Sequence, residues 1–483
     1  MTDIPAYWHN FIDGDYCEGG AGHVEVLDPS TDERVADQAI ADEGDVDRAV
    51  SAAAALSASR AWSDLRPVER GRIVRKMGEY VFDRIDEIAP ILTREAGKPL
   101  WEARLELEGA ARYFEYYGNQ AETMEGRSIP LGGGYFDFTT HEPFGVSAQI
   151  IPWNYPMEMT ARSLSAALAV GCSVVVKTPE LDPLTTLYFS DASQACGLPD
   201  GALNILCGLG KDTGAALTAH PGVNQIVFTG SVQTGTAIAT AAARNVVPCV
   251  LELGGKSAAI VHDDADLDAF LSDVRWGIYF NAGQVCSAMS RVVAHESIHD
   301  RLVDGIVAMA EDLDVGDGLT FPDFGANMGP MISETQCQRA AGMVSQAERD
   351  GAKTATGGRR MNRPGFFLEP TVLTGVTPDM AIAHDEVFGP VLSVLKFGSE
   401  EEAIRIANGT PYGLVAEVFT SDIDRAMRAT KALRAGQVFV NEWYAGGVET
   451  PFGGFGKSGY GREKGREALL NYVQTKNVAI KLR

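Results

Sequence analysis

Positive charge is scarce in this sequence, cysteine-pair motifs are missing and so are long apolar runs. Each shortage narrows what the chain can do. Lys and Arg number 41 against 65 Asp and Glu, for a net charge of −24. A surface that acidic repels phosphodiester backbones and anionic headgroups, so neither nucleic acid nor a membrane is expected as a partner. The seven cysteines (Cys17, Cys172, Cys196, Cys207, Cys249, Cys286 and Cys337) are odd in number, widely spread and without a Cys-x-x-Cys. That pattern speaks against a disulfide framework and against a zinc site, so no metal is expected. No stretch approaches the ~18 uninterrupted apolar residues of a membrane-spanning helix. Met1 to Asn10 carries neither a basic region nor an apolar run, so no secretory signal is read there. The expectation is a reducing, cytoplasmic setting that keeps the thiols reduced.

What is present suits a large α/β protein. At 483 residues the chain is too long for one core and implies two or three domains. Asp13-Gly14 and Asp28-Pro29-Ser30-Thr31 punctuate short strands between residues 11 and 40. Helical patterns follow from Asp45 to Ala61, from about Val68 to Glu95, and from Leu100 to Glu122, where Tyr113, Phe114, Tyr116 and Tyr117 form a packing stripe. Tyr135 to Glu142 alternates as an exposed strand, and the tail from Ala468 to Leu482 reads as a terminal strand. Between Val146 and Val261, apolar strands at 146–151, 173–177, 202–206, 225–228 and 249–252 alternate with helices at 159–169, 185–196, 211–218 and 234–243. That alternation is the signature of a parallel sheet. A second α/β set runs from Ser257 to about Val440.

Two Gly-flanked functional groups stand out. Glu252-Leu253-Gly254-Gly255-Lys256-Ser257 offers a carboxylate that can serve as a base. Gly283-Gln284-Val285-Cys286-Ser287 offers a thiol on a loop, where catalytic groups collect. Carboxylate and thiol lie 34 residues apart. With Pro152-Trp153-Asn154-Tyr155-Pro156, Glu386-Val387-Phe388-Gly389-Pro390 and Pro451-Phe452-Gly453-Gly454, these motifs resemble the aldehyde dehydrogenase superfamily from Phe11 to Tyr472. The resemblance implies a Rossmann-like cofactor domain (residues 1–122 and 145–251), an α/β catalytic domain (252–452) and a small β oligomerisation arm (123–144 and 468–483) in a homodimer or homotetramer. The strand at 135–142 would then pair with a neighbouring subunit, although its pattern equally fits an edge of the main sheet.

A dinucleotide is expected although no Gly-x-Gly-x-x-Gly follows a strand in the first half. Phe228-Thr229-Gly230-Ser231 closes a strand before a helix, and a helix N-terminus suits a pyrophosphate. The strand ending at Lys177 carries Glu180 just beyond it, able to accept from both hydroxyls of an adenosine ribose and to repel a 2′-phosphate. NAD is therefore expected in preference to NADP. By resemblance Ser231 holds a phosphate, Glu386 the nicotinamide ribose and Phe388 packs near the ring. Ile151, Trp153, Lys177, Gly210, Thr234 and Leu253 complete the implied cofactor set.

The implied reaction is attack of Cys286 on an aldehyde, with Asn154 and the Cys286 backbone N–H as oxyanion donors. Hydride loss leaves a thioester, which water activated by Glu252 hydrolyses. A thiolate nucleophile needs a lowered pKa or a base. Lys177 is expected to assist proton movement. Members that transfer the acyl group to coenzyme A lack the carboxylate at position 252, so hydrolysis is expected here; a purely structural use of the fold needs none of these groups. For the substrate, Arg162 stands where simple aliphatic-aldehyde members carry Trp. It either clamps a substrate carboxylate or pairs with Glu158 on its own helix. Phe280 stands where succinate-semialdehyde enzymes often place a second Arg. Tyr155, Met159, Trp276, Phe280, Trp443 and Tyr444 suggest a roomy aromatic pocket, with Gly446 widening its entrance. The expected substrate is bulky or aromatic, or bears a carboxylate. A betaine or amino aldehyde, caged by Glu442, Trp443 and Tyr444, is the alternative, as is a semialdehyde.

Overall fold

The computed structural model describes residues 4–483; residues 1–3, at the start of the stretch read for a secretory signal, lie outside the described residues. Two large sheets carry the chain. The first has eight strands in the order Gly459–Tyr460, Cys249–Glu252, Gln225–Thr229, Val146–Ile150, Ser173–Lys177, Leu203–Leu206, Asn10–Ile12 and Asp15–Cys17. Its central members are parallel, and antiparallel pairs close both edges. Ser-Val-Val-Val-Lys at 173–177 is buried throughout, as a strand covered by helices on both faces must be. The second sheet runs Lys353–Thr356, Thr371–Thr374, Val391–Phe397, Arg291–His295, Ala258–Val261, Val415–Phe419 and Gln437–Val440, parallel apart from its first strand.

The helices at Pro67–Phe82, Leu100–Gln120 and Pro156–Val170 pack together over the first sheet. The helical region expected from Val68 to Glu95 is two helices, Pro67–Phe82 and Ile85–Ala96, with the break at Asp83-Arg84. Periodicity carries through such a break, because both helices bury apolar faces into one core. Tyr135–Pro143 is not an edge of either large sheet. It pairs along its whole length with Val473–Lys481, and with Ser128–Ile129, in a separate three-stranded sheet.

Two connections set up the site. The loop after Glu252 leaves the carboxyl end of the first sheet and enters Ala258–Val261 of the second. The chain then returns after residue 440, where Gly459 and Tyr460 pair antiparallel with Glu252 and Leu251. That return places the segment 459–465 beside the carboxyl ends of the first sheet, where ligands of parallel sheets bind. Among the described residues, no helix is long and apolar enough to cross a membrane.

Candidate active site

Thr229 and Glu252 end neighbouring strands and face each other in register, as do Ile150 and Lys177. Glu252 is buried, and among the described residues neither of its carboxylate oxygens has a hydrogen-bond partner. Burial pushes its pKa well above the usual carboxylate range, and the positive charge of Arg162 only partly offsets this. Just beyond it, the Gly255 N–H donates to Glu386 Oε1 at 2.9 Å. A Cβ on Gly254 would fall 2.2 Å from Glu386 Oε2, so any larger residue there would push the carboxylate aside.

Cys286 follows a helix that stops. Leu267–Tyr279 gives way to a turn in which Asn281, Ala282 and Gly283 have φ of 48°, 53° and 71°. Two left-handed non-glycine residues in a row are a strained arrangement that only fixed surroundings sustain. Those surroundings are specific. The Asn281 N–H donates to Glu102 at 3.0 Å, Gln284 Nε2 donates to the Asn281 carbonyl at 3.0 Å, and Ile332 N–H donates to Gln284 Oε1 at 2.9 Å.

Asn154 is tied into the same loop. Its Nδ2 donates to the Gln284 carbonyl at 2.9 Å, and its own carbonyl accepts from Asn281 Nδ2 at 2.9 Å and from Lys98 Nζ at 2.8 Å. One N–H of its amide remains for an oxyanion. Lys98 is fully buried and paired with Glu106, whose other oxygen accepts from the N–H groups of Met157 and Glu158 at the start of the Pro156–Val170 helix. A hydrogen-bonded frame of Lys98, Glu102, Glu106, Asn281 and Gln284 thus holds the amide and the thiol loop together. Sequence reasoning missed this frame. No motif marks Lys98, Glu102 or Glu106.

A cavity of about 960 Å³ joins these groups. It is lined by Cys286, Glu252 and Asn154, by Trp153, Gly230, Ser231, Leu253, Glu386 and Phe388 of the expected cofactor set, and by Tyr155, Met159, Arg162, Trp276, Phe280, Trp443 and Tyr444 of the expected substrate set. Ile151, Lys177, Glu180, Gly210 and Thr234 are not in its lining. Lys177 is held on Glu180 at 2.7 Å. Ser231 caps the Val232–Asn245 helix by accepting from the Thr234 N–H, and Gly210 opens a single π turn at Gly210–Gly214.

The thiol is partly exposed to the cavity and packs near Phe452 and Leu414. Burial pushes it up to about 12, with Glu386 and Glu252 adding to the rise and Arg162 opposing it.

Arg162 is accounted for within the protein. Its Nε donates to Glu463 at 2.8 Å and its Nη2 to the Thr229 hydroxyl at 3.0 Å, with the side chain 3% exposed. Glu158 is not its partner. The alternative pairing along the helix loses to a residue 301 positions away, brought in by the returning segment. Burial works against the charge, but Glu463 overrides it and keeps the guanidinium ionised. Arg162→Ala would leave Glu463 buried with only Ser163 and Tyr472 hydroxyls for company. The expected cost is about 3–5 kcal/mol of stability, read from urea or thermal denaturation, because a buried charge is left uncompensated.

The aromatic wall is continuous. Phe280 stacks on Tyr155 at 6.2 Å and lies 5.8 Å from Trp101; Trp276 lies 4.4 Å from Phe324 at the rim. Trp153 meets Phe388 edge-on at 5.2 Å. Glu158, Asp273, Glu442 and Lys464 also line the space. Of these, only Glu442 was read as a binding residue from sequence. Lys464 belongs to none of the motifs read from the sequence and is brought in by the pairing of Gly459–Tyr460.

Residues 16–478 match the model of the aldehyde dehydrogenase family. Retinal dehydrogenase 2 of Homo sapiens is 40% identical over 480 residues, covering 99% of this chain and 92% of that protein. Aminoaldehyde dehydrogenase 1, peroxisomal, of Pisum sativum is 41% identical over 462 residues, covering 94% and 91%. The NAD+ complex of an aldehyde dehydrogenase from Bacillus cereus superposes with a TM-score of 0.97 at 36% identity, covering 99% and 98%.

Proposed function

This chain belongs to the aldehyde dehydrogenase family, and from that premise we propose that it oxidises a bulky or aromatic aldehyde, or one bearing a carboxylate, to the free acid with NAD. The observation that carries the reading is one cavity shared by Cys286, Glu252, Asn154 and the glycine turn at a helix N-terminus. The residues fit a dinucleotide. Ser231 opens the Val232–Asn245 helix, whose N-terminus suits a pyrophosphate, while the Gly230 N–H is held on the Glu252 carbonyl; Glu386 stands beside the Gly254-Gly255 turn for a ribose, and Trp153 and Phe388 offer ring faces. Glu180, oriented by Lys177, suits ribose hydroxyls and repels a 2′-phosphate. When bound, the dinucleotide supplies a hydride acceptor.

The protein supplies the rest. Cys286 Sγ attacks the carbonyl carbon, its proton passing to water in the cavity. The remaining Asn154 N–H and the Cys286 backbone N–H receive the oxyanion. Such donors are worth a factor of ~10²–10³ each in rate. Once hydride has left, the carbon is held as a thioester on Cys286, and Glu252 takes a proton from the hydrolytic water. Aromatic residues lining the cavity favour a large apolar body. A second reading, an amino or betaine aldehyde, is favoured by Asp273, Glu442 and Trp443 in the same lining and by the pea relative's name. The separate sheet of Tyr135–Pro143 and Val473–Lys481, with Tyr135, Phe136, Ile480 and Leu482 exposed, supports its assignment as an oligomerisation arm. The free cysteines fit a reducing, cytoplasmic setting.

NADH production from a small aldehyde panel tests the assignment. Benzaldehyde and 4-carboxybenzaldehyde are expected to exceed hexanal and betaine aldehyde by ~10-fold or more in kcat/KM, the scale on which pocket contacts discriminate. No coenzyme A is required. A lead by betaine aldehyde would replace the substrate class with the second reading, and dependence on coenzyme A would overturn hydrolysis.

A further inference from the structure

We propose that Lys464 forms an anion subsite in this cavity, where its ammonium and the Tyr444 hydroxyl hold the carboxylate of an aldehyde acid whose carbonyl reaches Cys286. The inference deepens the substrate reading above and rests on it.

Lys464 is a long cationic side chain only 4% exposed, yet it lines the cavity. Its Nζ donates to the Tyr444 hydroxyl at 2.8 Å and lies 4.8 Å from the centre of the Tyr444 ring and 5.9 Å from that of Phe452. Among the described residues it enters no ion pair, whereas Arg162, in the same wall, is neutralised by Glu463. A buried charge is costly unless an opposite charge meets it. The two nearby carboxyl groups are otherwise placed. Glu449 is paired with Arg112; Glu158, whose carboxyl burial pushes up and Lys464 draws back down, makes no direct ion pair with Lys464 among the described residues and accepts from the Tyr113 hydroxyl at 3.4 Å.

The backbone adds to the case. Lys464 has a φ of 61°, in the left-handed region that a non-glycine residue occupies at a cost. The strain persists because the neighbouring segment is fixed, with the Glu463 N–H on the Phe452 carbonyl at 2.8 Å and the Gly465 N–H on the Val448 carbonyl at 2.7 Å. An ammonium has three N–H groups, of which Tyr444 takes one. A phenol that accepts from Lys464 still donates its own proton. Both donors can therefore meet one carboxylate against the aromatic body of the cavity. Burial lowers the Lys464 pKa to about 8, so the ammonium persists at neutral pH and an arriving anion strengthens it.

The test compares Lys464→Met, which keeps the apolar stem, and Lys464→Arg with wild type, using NAD and the pair 4-carboxybenzaldehyde and benzaldehyde. The expected result is that Lys464→Met lowers the preference for the acid by ~10- to 100-fold, chiefly through KM, the size of a lost charge-assisted contact. Lys464→Arg should retain most of the preference. In wild type the KM for the acid should rise as the pH passes about 8 and the ammonium is lost. That limb should vanish in Lys464→Met. The charged and titratable groups facing Lys464 are Glu158 and Arg162 from the Pro156–Val170 helix, Tyr444 and Glu449 from the returning loop, and Cys286. A parallel fall on both aldehydes would make Lys464 structural and overturn the subsite. A wild-type preference for the acid that survives in Lys464→Met would also overturn it while sparing the substrate reading. A wild-type enzyme indifferent to the carboxylate would overturn the carboxylate reading itself, and the subsite with it.

Discussion

Cys286→Ala is expected to abolish NADH formation, lowering turnover by ~10⁴-fold or more, the range seen when a covalent nucleophile is removed. Dinucleotide binding, measured by protein fluorescence, should survive. Gly230 and Ser231 belong to the Val232–Asn245 helix turn and Glu386 is anchored on the Gly255 N–H, so neither depends on the thiol. The fold should survive as well. The loop is held by Asn281, Gln284, Glu102 and Asn154 through hydrogen bonds that do not involve Sγ. Among the described residues lining the cavity, no other cysteine is present to substitute. Cys286→Ser should be nearly as inactive, since the buried surroundings that push the thiol up to about 12 act on an alcohol that ionises less readily still. Residual turnover above ~1% in either variant would remove Cys286 from the role of nucleophile.

How legible this was in the sequence depends on the distance over which each feature is decided. The strands Ser173–Lys177 and Cys249–Glu252 fall where the apolar runs predicted, because a strand buried on both faces writes its burial locally. The thiol, the carboxylate and the amide were legible because each sits in a glycine- or proline-rich turn whose backbone demands are themselves local. Arg162 was legible as an unusual residue, but the only pairing its own helix suggested was with Glu158. Its partner Glu463 arrives through Gly459–Tyr460, a two-residue strand too short to show a pattern. The same holds for Lys464, which no motif marks. Lys98, Glu102 and Glu106 sit on or just before a helix whose apolar positions dominate the reading, and their burial follows only from how that helix meets the Pro156–Val170 helix and the thiol loop.

Glu252→Gln separates the two halves of the reaction. The carboxylate is confined: a Cβ on Gly453 would lie 2.9 Å from Glu252 Oε1, and the side chain is 2% exposed. Glutamine matches its shape and needs no counter-charge in a site where burial already disfavours the anion. What it lacks is the capacity to accept a proton from water. Formation of the thioester should therefore outlast its hydrolysis, giving a burst of about one NADH per active site. Steady turnover should then fall by ~10²–10⁴-fold, the usual contribution of a positioned general base. The pH profile supplies a second sign. A carboxyl group raised by burial is protonated below its pKa and becomes a base above it, so wild-type deacylation should rise with pH through a limb lying above the usual carboxylate range. In Glu252→Gln that limb should disappear. Hydroxylamine, which attacks a thioester without needing a general base, should restore turnover to the variant. A variant with wild-type steady-state rate would show that the water is activated elsewhere. A variant with neither burst nor hydroxylamine rescue would show that Glu252 acts earlier, in deprotonating Cys286, a role its own raised pKa and that of the thiol make chemically coherent.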